Sequence, residues 1–246
     1  MHLGIMQPYF FPYLGYFDLI NRTNEWIVFD IVKFKPKTWM TRNRIFNPKG
    51  EIQYINAEIQ KSNLSSNSRV NEVYLVDPEL TREKIKRQLE HYRSKNAPFF
   101  KEVMNLIDNC FEVQNNSSTR LLSVNTRCLE EVCKYLNIDF NFRILSQIDI
   151  SLPKISRPGD WALEITSALG YKSYINPPNG VSIFTFNDWE KRGITISFTK
   201  LINFPYEPYN SQVDQRLSIL DVLMWNDPES IKNHLDSIRT EFMELR

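Results

Sequence analysis

The sequence predicts an α/β fold built on a parallel sheet, and three observations lead there. The short apolar run His2–Met6 is followed by a segment with helical spacing, Pro12–Arg22, and then by the apolar run Glu25–Val32. A strand, a helix and a strand of this length form a crossover unit, which sets its two strands parallel. Strand-like runs return at Phe140–Leu145, Tyr174–Ile175 and Ile194–Phe198, with a helix pattern at Asp160–Leu169. Between the two halves, residues of about 78–137 read as three consecutive helices. The expectation is one α/β domain over residues 1–246 with a helical subdomain at about 78–137.

Each element has a local reason. Pro12 suits a first helical turn, and Leu14, Phe17, Leu19 and Ile20 recur at helical spacing. Short strands through 45–61 flank the turn Asn47-Pro48-Lys49-Gly50. Val70–Val76 is a further strand candidate. Asp77-Pro78-Glu79 caps a helix to about Tyr92 that turns Leu80, Ile85 and Leu89 inward. Asn96-Ala97-Pro98 opens a second helix, with Phe99, Phe100, Val103, Leu106 and Ile107 apolar. Ser117-Ser118-Thr119 opens a third, after the polar link Gln114–Asn116. Gly170 stops the helix that begins at Asp160. Pro177-Pro178-Asn179-Gly180 reads as a loop, and Arg216–Trp225 and Asp227–Phe242 as closing helices.

Composition narrows the chemistry. The chain has 30 Lys and Arg against 29 Asp and Glu, so no global field favours nucleic acid, and there is no strong case for DNA binding. Seven glycines and no G-x-G-x-x-G or Walker pattern argue against a glycine-rich phosphate loop. No apolar run reaches about 18 residues, so no membrane span is expected, and the first residues do not read as a signal peptide. Cys110, Cys128 and Cys133 sit in apolar helical surroundings and read as buried thiols of a reducing compartment. No Cys/His spacing resembles a zinc site, so no metal is expected. His91 and His234 lie in charged helical stretches and read as solvated. Acid–base work therefore falls to carboxylates, tyrosines or lysines.

Three constellations carry candidate chemistry. The stretch Gln7–Gly15 follows the first strand at its carboxyl end, where open α/β sheets place ligands. Gln7 can hydrogen-bond a ligand there; a rigid, packed strand–helix turn explains the residues equally well. Asp30 closes the second strand, and Lys33–Arg44 is the most basic stretch in the chain. Its cations suit phosphate, and Trp39 suits a base or sugar face; the plainer reading is a solvated loop anchored by Trp39. The loop Pro205–Gln212 precedes an apolar helix containing Asp221, which must find a partner if buried. A hydrogen bond tying that helix to the neighbouring loop is the favoured reading of Asp221. Glu164 reads as lying on the polar face of its helix.

Met6-Gln7-Pro8-Tyr9-Phe10-Phe11-Pro12-Tyr13-Leu14-Gly15-Tyr16-Phe17, Phe29-Asp30 with Trp39 and Arg42-Asn43-Arg44-Ile45, and Pro208-Tyr209 with Leu217-Ser218-Ile219-Leu220-Asp221 together resemble the WbqC-like family. The resemblance runs nearly end to end. The chain departs from it at Tyr174–Gly180, where such proteins commonly carry Tyr-Leu-Ser-Gly. The resemblance implies a bacterial cytoplasmic protein associated with O-antigen and other surface polysaccharides. It further implies transfer of an acyl or aminoacyl group such as glycyl to a nucleotide-linked amino sugar. The opening strand–loop–helix–strand also looks like that of nucleotide-binding, adenylyl-transferring α/β proteins, although their His-x-Gly-His is replaced here by Pro12-x-x-Gly15-Tyr16.

These readings give one set of expectations. The chain acts as a transferase with Asp30 or Asp221 taking or orienting the amine proton. Gln7, Tyr13, Gly15, Tyr16, Lys35, Trp39, Arg42, Asn43 and Tyr209 hold the substrate. ATP or an activated amino-acid donor is the candidate co-substrate, and no other cofactor is implied. An adenylate-forming or nucleotidyl-transferring enzyme and a non-catalytic nucleotide-sugar-binding protein are the alternatives.

Overall fold

The computed structural model describes residues 1–62, 64–112, 119–202, 204 and 216–243. The chain begins with β1 (Leu3–Met6), α1 (Leu14–Arg22) and β2 (Glu25–Val28), then forms a hairpin of β3 (Arg42–Phe46) and β4 (Ile52–Asn56). The helices α2 (Pro78–Leu89), α3 (His91–Ser94), α4 (Phe100–Phe111) and α5 (Leu121–Tyr135) follow. Then come β5 (Phe142–Ile144), α6 (Asp160–Ala168), β6 (Ser173–Asn176), α7 (Phe186–Lys191), β7 (Thr195–Phe198), α8 (Ile219–Trp225) and α9 (Pro228–Ser237). Five strands form one sheet in the order β5–β2–β1–β6–β7, with every pairing parallel. The predicted α/β class and parallel β1–β2 pair are therefore present.

Both faces of the sheet are covered, which is why its strands are apolar on consecutive residues rather than on alternate ones. Trp26, Val28 and Ile175 face a core shared with α1, α4, α5 and α8. Leu3, Ile5, Ile27 and Tyr174 face a second core with α6 and α7. Gly4 fits the first core: a Cβ there would stand 2.6 Å from the Trp26 ring.

The order of the strands fixes where a ligand crevice opens. β1 is central, with β2 on one side and β6 on the other. The chain therefore builds outward in one direction and later returns to build in the other. Ligand crevices form at the carboxyl ends of strands flanking such a switch. Here those ends are Met6-Gln7 and Asn176-Pro177.

Several local expectations change. α1 starts at Leu14 rather than Pro12, because the carbonyls before it are claimed from elsewhere. Asn43 Nδ2 donates to the oxygens of Phe10 and Phe11 at 3.1 and 2.8 Å, and the Ser218 hydroxyl donates to Phe11 O at 2.8 Å. The Ile219 amide donates to Pro12 O at 2.8 Å. Phe11 is fully buried with φ 40, a left-handed conformation for a bulky residue. Such strain costs roughly 1–3 kcal/mol and persists only where the surroundings enforce it.

β2 stops at Val28, two residues before Asp30. Val70–Val76 is no strand: it holds a 3-10 turn, Val70–Glu72, closed by the Arg69 amide donating to Glu72, and makes only single bridges, Ile59 to Leu75 and Tyr74 to Arg120. Leu80 is 65% exposed; Thr81 is the buried residue of that turn, its hydroxyl donating to Asp77 O. The basic stretch is part strand, since Arg42–Arg44 belong to β3. After Pro177 the chain forms a 3-10 turn, Pro178–Ile183. The closing helices are shorter than their apolar patterns: Ser218 caps α8, and α9 ends at Ser237. Ser117-Ser118 and Gln114–Asn116 lie outside the described residues.

All three cysteines are buried and unpaired by disulfides. His91 and His234 are half-buried rather than solvated, and burial holds both below the usual imidazole range. Among the described residues, no helix is long and apolar enough to cross a membrane.

Candidate functional site

The turn after β1 is held almost entirely by groups outside it. Gln7 O accepts the Tyr16 hydroxyl at 2.7 Å, and Pro8 O accepts Asn125 Nδ2 at 2.7 Å. The same Asn125 amide donates to Met40 O at 2.8 Å, and the Phe10 amide donates to Trp39 O at 2.8 Å. With Asn43, Ser218 and Ile219, these bonds satisfy a buried turn that has no ladder or helix of its own. The backbone is thus a rigid scaffold. What it offers to the crevice are the side chains of Met6, Gln7, Tyr9 and Tyr13.

The crevice has two lobes that share Met6, Tyr9, Asn176 and Ile183. The larger measures about 630 Å³ and lies between the ends of β1 and β2, the basic loop and the start of α6. Gln7, Lys33, Lys35 and Arg157 give it polar groups, and Phe29 and Trp161, 5.3 Å apart, give it an aromatic wall. The smaller, about 400 Å³, is lined by Tyr13, Trp39, Asn43, Arg44, Arg216 and the turn after β6. No Asp or Glu lines either lobe among the described residues. Arg157 is paired with Asp160 and Asp188, at 2.8 and 3.0 Å. Lys33 and Lys35 are exposed and form no ion pair with a described residue.

Burial raises the Tyr9 phenol, and it pushes Tyr13 up to about 12, aided by Tyr9 and Asp18. Both remain neutral hydroxyls at pH 7. Asn176 stands where the lobes meet. Its Oδ1 accepts from Tyr174 at 2.7 Å and its Nδ2 donates to Pro177 O at 2.9 Å. A Cβ on Gly180 would lie 2.0 Å from that Nδ2, so this glycine gives the amide its room. Gly159 plays the same part for the wall: its Cβ would meet Ile183 O at 2.0 Å.

The expected site residues divide accordingly. Gln7 and Lys35 meet in the larger lobe; Tyr13, Trp39 and Asn43 meet in the smaller. The Asn43 amide nitrogen is engaged by Phe10 and Phe11. Gly15 lines a small adjoining hollow with Tyr13. Tyr16 is buried behind the turn it locks. Arg42 lies on the outer face of the hairpin, 4.4 Å over the Tyr54 ring. Tyr209 lies outside the described residues.

Neither expected acid–base residue lines the crevice. Asp30 is fully buried and takes the Ser146 amide and hydroxyl at 3.0 and 2.5 Å. Asp221, also fully buried, accepts from the Tyr92 hydroxyl and, at 3.3 Å, from the Phe46 amide. Asp221 thus ties α8 to α3 and β3 rather than to the loop before it, most of which lies outside the described residues. Glu164 pairs with Arg192 and is half-buried.

Sequence reasoning missed Arg157, Trp161 and Asn176. Asn176 had a readable signal, a polar residue followed by proline at the end of an apolar strand, but its importance depends on β6 lying beside β1. Among the described residues, no three His, Cys, Asp or Glu side chains cluster as a metal site would require.

Comparisons with known proteins agree with the end-to-end resemblance. The chain is 23% identical over 227 residues to Uncharacterized protein Rv1507c of Mycobacterium tuberculosis, covering 90% of this chain and 92% of the relative. No solved structure matches. The profile of the WbqC-like protein family matches residues 7–233, and the chain belongs to that family.

Proposed function

We propose that the crevice binds a nucleotide-linked amino sugar and that the protein transfers an acyl or aminoacyl group to the sugar's amine, in surface-polysaccharide (O-antigen) biosynthesis. One observation carries the ligand class: a switch-point crevice lined by Lys33, Lys35, Arg157, Arg44 and Arg216 and by no carboxylate among the described residues. Such a lining favours a diphosphate and disfavours cationic ligands. Phe29 and Trp161 supply a wall for the base, and Asn176 and Gln7 supply hydrogen bonds for the sugar.

The reaction class rests on the family resemblance. The amine nitrogen attacks the acyl carbon, the bond to the leaving group breaks, and the amine proton leaves. With Asp30 and Asp221 held by Ser146, Tyr92 and Phe46, the proton passes to the donor's own leaving group. The protein's part is then orientation of two substrates, which alone lowers barriers substantially.

Calorimetric titration of a nucleoside-diphosphate amino sugar tests the binding step. The Lys33→Ala/Lys35→Ala protein should bind roughly tenfold more weakly than wild type. Incubation with glycine, ATP and activated donors tests the chemistry. Unchanged affinity in the double variant, or no acylated product with any donor, would count against this reading.

A further inference from the structure

We infer that the outer face of the β3–β4 hairpin is a docking platform for a short single-stranded RNA end, and that this strand carries the activated acyl group into the smaller lobe. The inference rests on the acyl-transfer reading above and names the class of its donor.

The hairpin is two-faced. Asn43, Ile45 and Ile55 are buried, and no further strand pairs with it among the described residues. Its other face presents Arg42, Arg44 and Tyr54, with Arg44 directly opposite Tyr54 in the register. The Arg42 guanidinium lies 4.4 Å over the Tyr54 ring, and that of Arg44 lies 5.2 Å over Trp39. Rings and cations thus alternate across the face, as Trp39, Arg44, Tyr54 and Arg42. The two rings are 40% and 36% exposed, so both present surface to solvent. Lys35 and Lys37, in the loop that leads to Trp39, are exposed.

Charge complementarity selects the occupant. Between Asp30 and Glu51 the chain has no acidic residue. Lys35, Lys37 and Arg42 have no carboxylate partner among the described residues. Cations beside exposed rings suit a phosphodiester backbone whose bases are free to stack, the arrangement by which proteins hold single strands. A duplex offers no free base face to Trp39 or Tyr54. The face is also small, so it fits a few nucleotides at a strand end rather than a long strand, in keeping with a chain of balanced overall charge.

Continuity gives the strand a direction. Trp39 and Arg44 belong both to this face and to the lining of the smaller lobe. A strand lying on the hairpin therefore ends in the crevice. If its terminal ribose carries an aminoacyl ester, the sugar amine held in the larger lobe meets the ester carbon. The C–N bond forms, the C–O bond to ribose breaks, and the amine proton passes to the ribose oxygen.

Fluorescence anisotropy with a labelled short single-stranded RNA tests this on the full chain. Wild type should bind the single strand more tightly than a duplex of the same length, with affinity that falls as salt rises. Trp39→Ala and Tyr54→Ala should each weaken binding roughly tenfold. Arg42→Gln should weaken it less and flatten the salt dependence. Lys101→Ala, on the exposed face of α4, serves as the unaffected control. Circular dichroism of each variant confirms folding.

Equal affinity for duplex and single strand, or affinities untouched by Trp39→Ala and Tyr54→Ala, would overturn the platform. Calorimetry with the nucleotide amino sugar separates the two readings. Sugar binding without RNA binding discards the platform and leaves the crevice reading in place. RNA binding without sugar binding does the reverse.

Discussion

Asp221 shows how one residue's surroundings decide its role. A carboxylate on an apolar helix suggests either a base or a tie. Here it sits at 0% exposure between Tyr92 of α3, Phe46 of β3 and its own helix α8. An acceptor that takes two donors from two other elements ties those elements together, and Asp221 is not among the described residues that line the crevice. Asp221→Leu keeps roughly the volume but removes the one oxygen, Oδ2, that takes both donors, leaving the Tyr92 hydroxyl and the Phe46 amide without that acceptor. We expect a loss of about 1–3 kcal/mol in chemical denaturation, the cost of stranding a buried polar group. Ligand affinity of the folded fraction should stay at the wild-type value. A stability unchanged from wild type together with lost activity would restore Asp221 as a reacting group. Asn43 and Asn125 follow the same logic, because Asn43 spends its amide on two carbonyls of the opening turn and Asn125 joins a third, that of Pro8, to Met40 O.

Among the elements, α1 has the most unusual electrostatics. Its Asp18 and Arg22 pair at 2.8 Å with both side chains almost wholly buried. Asp18 Oδ2 has no hydrogen-bond partner. Burial raises the Asp18 carboxyl from 3.8 to about 6, against the pull of Arg22. The folded protein therefore keeps a proton that the unfolded chain releases between those values. Stability falls as pH rises through that window and levels off above about 6, a change on the order of 2 kcal/mol. Asp18→Asn removes the titration. The stability difference, wild type minus variant, should fall from pH 4 to about 6 and then stay flat; parallel curves would refute the assignment. None of this pairing was visible in sequence beyond an i, i+4 spacing. Elements set by local pattern were legible: β1, β2, α4, α6 and the Asp77 cap follow from apolar spacing and turn chemistry. Elements set by distant partners were not. Pro12 fails to start α1 because Asn43, Ser218 and Ile219 hold the carbonyls before it. Val70–Val76 finds only single bridges instead of a strand neighbour. In the site, Gln7, Tyr13, Lys35 and Trp39 were readable as loop chemistry after a strand. Arg157, Trp161 and Asn176 became readable only once β6 was placed beside β1.

At the scale of the whole molecule, the segment Arg239–Met243 binds distant parts of the chain together. Arg22 Nη1 donates to the oxygens of Arg239 and Glu241 at 2.8 and 2.7 Å, and its guanidinium stands 5.4 Å from the Phe242 ring centre. The Met243 amide donates to Phe198 O at 2.9 Å, and Phe242 bridges Thr199 just beyond β7. One short segment thus joins α1, which follows the central strand, to the edge strand β7. Removing the chain from Arg239 onward leaves a guanidinium that is 3% exposed with one carboxylate and two missing acceptors. The cost should be several times that of an ordinary surface truncation, roughly 2–4 kcal/mol, because stranding a buried charge is penalised in full. Lost apolar cover away from Arg22 alone would give a penalty independent of residue 22. The clamp instead predicts coupling: Arg22→Met and the truncation, measured singly and together in urea, should cost less in combination than the sum of the two. Strict additivity would show that the segment merely covers apolar surface.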